Sequence, residues 1–378
     1  MARRRWGGST ATAIGVAAGV GAAQLGFAYG LGIIDWAPVD AGRTAPAWFA
    51  SLAWATWIAA VSTVLGAVCA QRLHGPGSDA PPPDGAPRRA VLAVGGAVGA
   101  SLTVLLVAVP ARDATAPQIS SPPTIAAGHA AVGVLLGLLA AYWALSVRAA
   151  ATNVIATVGW LWLLAVVSVV DGVLAGRGLN TAQLGIWQIS ADRPGFWLRD
   201  YVYWPGVLLA TGSALLIGGL AARRAARVAE RRLGAAISGA AGPLLVALAY
   251  LLAVPRLATV TPAQVSAHLV APYAVVVGAA GSVLVAALAQ RRTAARQQVA
   301  APRQRPGTPP LPPVGDRTTT GGQTTAPLPP DPATNGGTAP DREPGRTDPT
   351  DPPPDATVEA GPVPGGALPA DPTPGGSR

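Results

Sequence analysis

Two histidines at matching places in the chain are the residues best suited to chemistry. His129 and His268 each open an apolar run that follows a loop rich in Pro and Thr. Two imidazoles that face one another can ligate haem iron or a copper or zinc ion, or relay protons. Alternatively, each histidine is an amphipathic side chain at the level of the lipid headgroups. Because the sequence places no glutamate and no third ligand near them, the second interpretation is favoured, and the pair is kept as a candidate cofactor-binding site.

A second candidate set consists of charged residues at the ends of apolar runs. Asp35 and Asp171 each close a run, and Arg112 and Arg256 each follow a Val-Pro dipeptide. A carboxylate at a membrane edge can bind a cation or a proton in a transporter, and the two arginines can pair with those acids. These four residues are therefore candidates for an ion or substrate pathway. Solvated helix ends are the favoured alternative.

The sequence carries none of the common catalytic motifs. It contains no nucleophile elbow, phosphate-binding loop, HExxH or CxxC motif, so catalysis has no support and we predict no catalytic residues. Cys69 is the only cysteine, which excludes an internal disulfide and a cysteine-based metal site. We therefore expect no cofactor, with haem or a transition metal at the two histidines as the alternative.

Composition indicates a membrane protein. Hydrophobic residues make up 50% of the 378 residues and charged residues only 12%, whereas a soluble domain carries about 25% charged residues. The net charge of +9 comes entirely from arginine, and most arginines of the first 300 residues lie at the ends of apolar runs. That distribution follows the positive-inside rule rather than a nucleic-acid-binding surface. The absence of lysine beside abundant Ala, Gly and Pro is typical of a GC-rich bacterial genome.

Eight apolar runs are each long enough to cross a bilayer. We predict transmembrane helices at about 11–34, 48–70, 90–110, 124–147, 152–175, 204–222, 233–254 and 266–289. The first run exceeds 20 residues, which is too long for the apolar part of a signal peptide. Fifteen of the 21 arginines in residues 1–300 fall on one side of this arrangement. The positive-inside rule then places both termini in the cytoplasm, with the chain in the plasma (inner) membrane.

The eight runs divide into two similar groups of four. Arg88-Arg89 precedes a run that ends at Val109-Pro110, and Arg231-Arg232 precedes one that ends at Val254-Pro255; a histidine follows each. We predict an all-α protein with two parallel four-helix repeats, 1–150 and 151–299, related by a pseudo-twofold axis along the membrane normal. His129 and His268 would then face each other near the outer surface. Chance similarity of Ala/Gly/Val-rich helices is the alternative.

This layout is similar to that of the haem A synthases, which also join two four-helix halves. That family relies on several histidines in each half, whereas this chain has one at the membrane edge in each half, His129 and His268. His74 lies in an inner loop. The resemblance covers the layout and no motif.

Two segments outside the runs differ in character. Aromatic and charged residues alternate in 176–203, which predicts a segment along the bilayer surface. In 300–378 roughly two residues in five are Pro or Gly, which predicts a disordered cytoplasmic tail. The tail contains a Pro-rich run at 309–313 that can serve as a polyproline ligand for a cytoplasmic protein. A plain solvated tether is the alternative.

These observations leave three functional classes. The favoured one is a non-catalytic envelope or scaffold protein with a partner-binding tail, whose other contact is the lipid bilayer. A small-molecule transporter or permease is the second, weakened by the scarcity of charge inside the runs. A haem- or metal-binding redox protein that uses His129 and His268 is the third.

Overall fold

The computed structural model describes most of the first 300 residues. These are 2–37, 44–74, 85–114, 121–176, 178–179, 182–186, 194–253 and 261–300. They belong to one compact unit, Met1–Arg305, and nearly all of them are helical. The tail predicted from residue 300 onward lies outside the described residues, apart from Ala300 itself, which ends the last helix.

Ten α-helices form the described part of the chain. They are α1 (Ala2–Gly30), α2 (Thr44–Leu73), α3 (Ala86–Ala100), α4 (Leu102–Ala108), α5 (Pro122–Ser146), α6 (Arg148–Leu174), α7 (Trp204–Ala222), α8 (Arg232–Ile237), α9 (Ala241–Ala253) and α10 (Pro262–Ala300). Single 3-10 turns lie at Pro110–Asp113, Pro194–Phe196, Ala225–Arg227, Ala229–Arg231 and Ser238–Ala240. Trp197–Leu198 (β1) pairs antiparallel with Val202–Tyr203 (β2).

Eight segments of the described chain are long and apolar enough to span a membrane, which confirms the predicted number. The third span combines α3 and α4, and the seventh combines α8, the Ser238–Ala240 turn and α9. The other six are single helices. The fold is therefore that of a multi-pass helical membrane protein.

Several span boundaries follow from proline. A proline in the first turn of a helix loses no hydrogen bond, since the first N–H groups have no partner within the helix, and its ring fixes a helical φ. Prolines occupy this position in α3, α5, α7 and α10, namely Pro87, Pro122, Pro205 and Pro262. These helices begin where the sequence offers such a residue after a polar loop.

Helix α2 lies at the centre of the bundle. Of its most apolar window, 89% is buried inside the protein, against 28–56% for the other spans. It packs against α1, α3, α5 and α9. Close approach depends on glycine: a β-carbon added at Gly133 or Gly137 of α5 would overlap backbone atoms of Thr56 or Ala60 of α2. Small residues at helix crossings allow this packing inside a membrane.

The four spans of each half pack in the same pairwise pattern. In residues 1–150 the first span contacts the second and third, the second contacts the third and fourth, and the third contacts the fourth. In residues 151–299 the corresponding five pairs of spans also contact one another. The halves differ in the burial of their second span. Helices of both halves enclose α2, whereas only 33% of the apolar window of α7 is buried.

One part of the predicted surface segment, residues 182–186, enters the bundle instead, whereas most of the described residues in 194–203 are exposed or half-buried. Ala182, Leu184 and Ile186 are each 5% exposed or less. The indole N–H of Trp54 donates to the Ala182 carbonyl (2.8 Å), and the Tyr250 hydroxyl donates to the Leu184 carbonyl (2.6 Å). Residues 182–186 therefore do not lie along the bilayer surface as predicted. Their backbone groups bind two buried aromatic side chains, which offsets the cost of burying them.

Candidate functional site

Both ring nitrogens of His129 face backbone carbonyls. Its Nδ1 lies 2.9 Å from the Ile125 oxygen of its own helix, and its Nε2 lies 3.2 Å from the Leu252 oxygen at the end of α9. Since carbonyl oxygens only accept, the ring donates through the nitrogen that carries the proton, and a neutral imidazole has one N–H. The side chain connects α5 of the first half with α9 of the second.

His268 has different surroundings. Its ring stands edge-on to Tyr250, with ring centroids 6.4 Å apart, and its Nδ1 is buried without a hydrogen-bond partner among the described residues. Both histidines therefore contact α9, His129 at Leu252 and His268 at Tyr250. No described contact joins the two imidazoles, so the prediction that they face one another stays a prediction.

Three of the four charged candidates, Asp35, Asp171 and Arg112, lie in the described part of the chain. Asp35 is half-buried, and its Oδ1 accepts the N–H of Ala37, as in an Asx turn. Asp171 is half-buried in the last turn of α6, and Arg112 is exposed in the Pro110–Asp113 turn. Arg256 lies outside the described residues. In the described part of the chain, no three His, Cys, Asp or Glu side chains lie close enough to hold a metal ion.

Polar side chains inside the spans join helices, as their positions in the sequence suggest. The indole N–H of Trp162 in α6 donates to Gln24 Oε1 in α1 (2.9 Å), and the Gln24 amide donates to Ser62 Oγ in α2 (3.2 Å). Trp162 also packs against Trp54 and Phe27, with ring centroids 5.2 and 5.3 Å away. This cluster links the two halves.

A second link lies where α2 and α10 begin. Thr261 and Gln264 form a reciprocal capping arrangement in which each side chain accepts the other residue's backbone N–H. The Gln264 amide also donates to the Pro46 carbonyl (2.7 Å), and only 1% of Gln264 is exposed. The Thr-Pro-Ala-Gln sequence is the signal that could have revealed the cap. The bond to Pro46 has no such signal, because it joins residues 218 positions apart.

The Ser238–Ala240 turn is a break in the α-helix of the seventh span, and side chains of two neighbouring helices bind the backbone there. Asn153 of α6 accepts the N–H of Gly242 through Oδ1 (2.7 Å) and donates to the Gly239 carbonyl (3.4 Å). Ser282 of α10 accepts the Gly239 N–H (3.1 Å) and donates to the Ala236 carbonyl. These bonds replace the intrahelical ones that the turn interrupts, as a membrane interior requires.

A cavity lies inside the second half, beside this break. It is partly open and encloses a volume of about 40 Å³. Its walls come from α6, α7, α9, α10 and residues 184–186. The lining residues are Thr157, Trp160, Leu161, Leu184, Gly185, Ile186, Ala210, Ser213, Ala214, Ile217, Pro243, Val246, Tyr250, Ala267, Val270, Ala271 and Ala274. Most are apolar, and none carries a formal charge.

Four polar groups line the cavity. The Ser213 hydroxyl donates to Ala210 (3.0 Å), and the Tyr250 hydroxyl donates to Leu184, so both oxygens keep acceptor capacity. The hydroxyl of Thr157, a residue 6% exposed, lies against Gly242 of α9. The buried indole N–H of Trp160 has no hydrogen-bond partner among the described residues. Sequence reasoning missed this site, since only the helix orientations bring these residues together.

In comparisons with known proteins, no family model, no curated protein and no solved structure matches this chain.

Proposed function

We propose that the protein is a non-catalytic scaffold of the bacterial plasma membrane, whose membrane bundle carries a cytoplasmic, Pro-rich tail that binds a protein partner. The central position of α2, enclosed by helices of both halves, is the observation that supports this proposal most. A helix packed in this way fills the middle of the molecule with side chains. The bundle then acts as a stable platform.

The bonds between the halves support the same proposal. Trp162 binds Gln24, Gln264 binds Pro46, and His129 lies against Leu252, so the halves are tied at separate places along the bundle. Transport by rocking requires two halves that change their contacts. Each buried bond that breaks without replacement leaves polar groups unpaired at a cost of about 1–3 kcal/mol. Rocking of one half against the other is therefore disfavoured.

The proposal includes a duplicated bundle with both termini in the cytoplasm. The matching pairs of contacting spans support duplication. The arginines support the orientation: Arg88, Arg148, Arg223 and Arg291 all lie at span ends that the proposed topology places on one side. The asymmetry between α2 and α7 then reflects divergence at the interface after the duplication.

Removal of the tail tests the scaffold function. A chain truncated after Ala300 is expected to insert and to unfold at the same temperature as the full chain in detergent. It should fail to restore a phenotype that the full chain restores in a deletion strain. If the truncated chain restores the phenotype, the function resides in the bundle and the scaffold proposal is wrong.

Site-specific crosslinking tests the partner. A photoreactive amino acid at Leu311, within the Pro-rich run, should give a discrete crosslinked product in cells. The same amino acid at Leu368, outside that run, provides the matched control. Equal crosslinking from both positions would contradict a specific polyproline interaction.

The cavity favours one alternative, a small-molecule transporter or permease. It lies beside a broken span, and substrate sites of transporters are typically formed by discontinuous helices. The truncation distinguishes the two functions, because transport through the bundle does not need residues 301–378. The haem- or metal-binding alternative gains no comparable support, since both ring nitrogens of His129 are directed at carbonyl oxygens.

A further inference from the structure

We propose that the cavity of the second half binds an uncharged, lipophilic molecule that carries a carbonyl group. The inference goes beyond the scaffold function. It rests on the lining of the cavity and on two hydrogen-bond donors in that lining, one of which, the Trp160 indole N–H, lacks a partner among the described residues.

The two donors lie on one face of α6. Thr157 and Trp160 are three residues apart, which places them side by side on a helix. Both line the cavity, and the buried Trp160 indole N–H has no hydrogen-bond partner among the described residues. Trp162, two positions further, donates to Gln24. Within one helix, one indole is therefore used for packing and the other is left available.

The other residues that line the cavity indicate the chemical class of the ligand. The lining has no charged side chain, so an ionised ligand would lose its hydration without compensation. Ala, Val, Leu and Ile supply most of the walls, as in sites for lipophilic molecules. A carbonyl oxygen has two lone pairs and can accept from both Thr157 and Trp160. Lipid esters and lipophilic quinones share this chemistry.

Photolabelling of the purified full-length protein in detergent tests the proposal. Benzophenone is the probe, because it is an apolar ketone that attaches to nearby C–H bonds on irradiation. Saturable labelling is expected in peptides that contain cavity residues. Labelling confined to lipid-facing residues would show that the cavity does not bind the ketone.

Substitutions test the two donors. Trp160→Phe and Thr157→Val are each expected to raise the half-saturating benzophenone concentration by about 2- to 10-fold, the effect of one neutral hydrogen bond. Trp143→Phe, on α5 outside the cavity lining, should leave it unchanged. Ala271→Phe should abolish cavity labelling by filling the space. Wild-type affinity in both donor variants would overturn the proposal.

Stability separates a binding role from a structural one. Trp160→Phe removes an unpaired donor, so its thermal midpoint should fall less than that of Trp162→Phe, which removes the same atoms and also a hydrogen bond. An equal or larger fall for Trp160→Phe would assign that indole a structural role. Competition then identifies the source: displacement of benzophenone by decylubiquinone points to a quinone, and displacement by dioleoylglycerol, an uncharged lipid ester, points to a lipid ester. Displacement by neither would contradict the ligand class.

Discussion

Asn153 illustrates how one side chain can replace the backbone bonds of a helix. It is fully buried and joins α6 to Gly239, within the break in the seventh span, and to Gly242, just after it. A polar side chain within an apolar run indicates a hydrogen bond inside the membrane, so the sequence can reveal Asn153 but not the backbone groups it binds. Those groups become available only because the helix is interrupted, and an interruption within an apolar run does not change its hydropathy.

We expect Asn153→Leu to destabilise the bundle by about 1–3 kcal/mol, because the Gly242 N–H loses its partner in a place that water does not reach. Unfolding in detergent, followed by circular dichroism, measures the change. Thr152→Ala is the matched control, since the neighbouring Thr152 is exposed and its hydroxyl bonds only within α6. A stable Asn153→Leu protein would mean that the break needs no side-chain support.

The polar residues inside the spans differ in how far the sequence predicts their contacts. Polar residues within apolar runs, such as Gln24, Asn153 and Thr157, indicate hydrogen bonds between helices because a polar group in a span needs a partner. The unpaired donor Trp160 cannot be recognised in this way, since Trp160 and Trp162 look alike in the sequence. The rotation of α6 about its axis determines that the Trp162 indole binds Gln24 and that the Trp160 indole lines the cavity.

At the scale of helices, glycine determines how closely α5 approaches α2. Gly137→Ala is expected to destabilise the bundle by about 1–3 kcal/mol, because the added methyl group overlaps the backbone of Ala60. Gly128→Ala on the same helix has open space around it. That control should be neutral or stabilising by up to about 1 kcal/mol.

Unfolding midpoints of the two alanine variants in one detergent give the comparison directly. If both variants respond alike, helix propensity rather than the crossing with α2 determines the effect. A loss confined to Gly137→Ala would show that the contact between α5 and α2 limits stability.

Helix ends were predicted well where apolar and polar residues meet abruptly. The sixth span was predicted at 204–222 and α7 is Trp204–Ala222, bounded by Pro205 and by Arg223. The eighth was predicted to end near residue 289, yet α10 continues to Ala300. Its last turns contain Ala, Arg and Gln, which are good helix formers but not apolar. Hydropathy therefore predicted the length of the span and not the length of the helix.

At the scale of the whole molecule, the arrangement across the membrane is the most testable claim. Reporter fusions at Gly77, Thr115, Gly195 and Gly315 are expected to report cytoplasm, outside, outside and cytoplasm. The expectation rests on eight spans and on the concentration of arginine on one side. Paired alkaline phosphatase and fluorescent-protein fusions measure it. A reversed result at a single position would require a different set of spans.

Hydropathy predicts the number of spans, and charge predicts on which side of the membrane each loop lies. Neither predicts which helices are in contact. The sequence treats α2 and α7 as equivalent second members of two repeats. The structure places α2 at the centre and leaves α7 more exposed. Contacts such as the hydrogen bond from Gln264 to Pro46 contribute to that difference, and they join residues more than 200 positions apart in the chain.

The enclosed position of α2 also has a consequence for synthesis on the ribosome. α2 is among the first segments to leave the ribosome, whereas α9, which covers part of it, ends at Ala253. The Ala182 carbonyl that binds Trp54 is also made long after Trp54 itself. Until Ala182 and α9 have been synthesised, α2 remains in contact with lipid or with the insertion machinery. Nascent chains that stall before residue 253 would therefore expose the surface of α2 that α9 covers in the finished protein, and membrane quality-control proteases can recognise such surfaces.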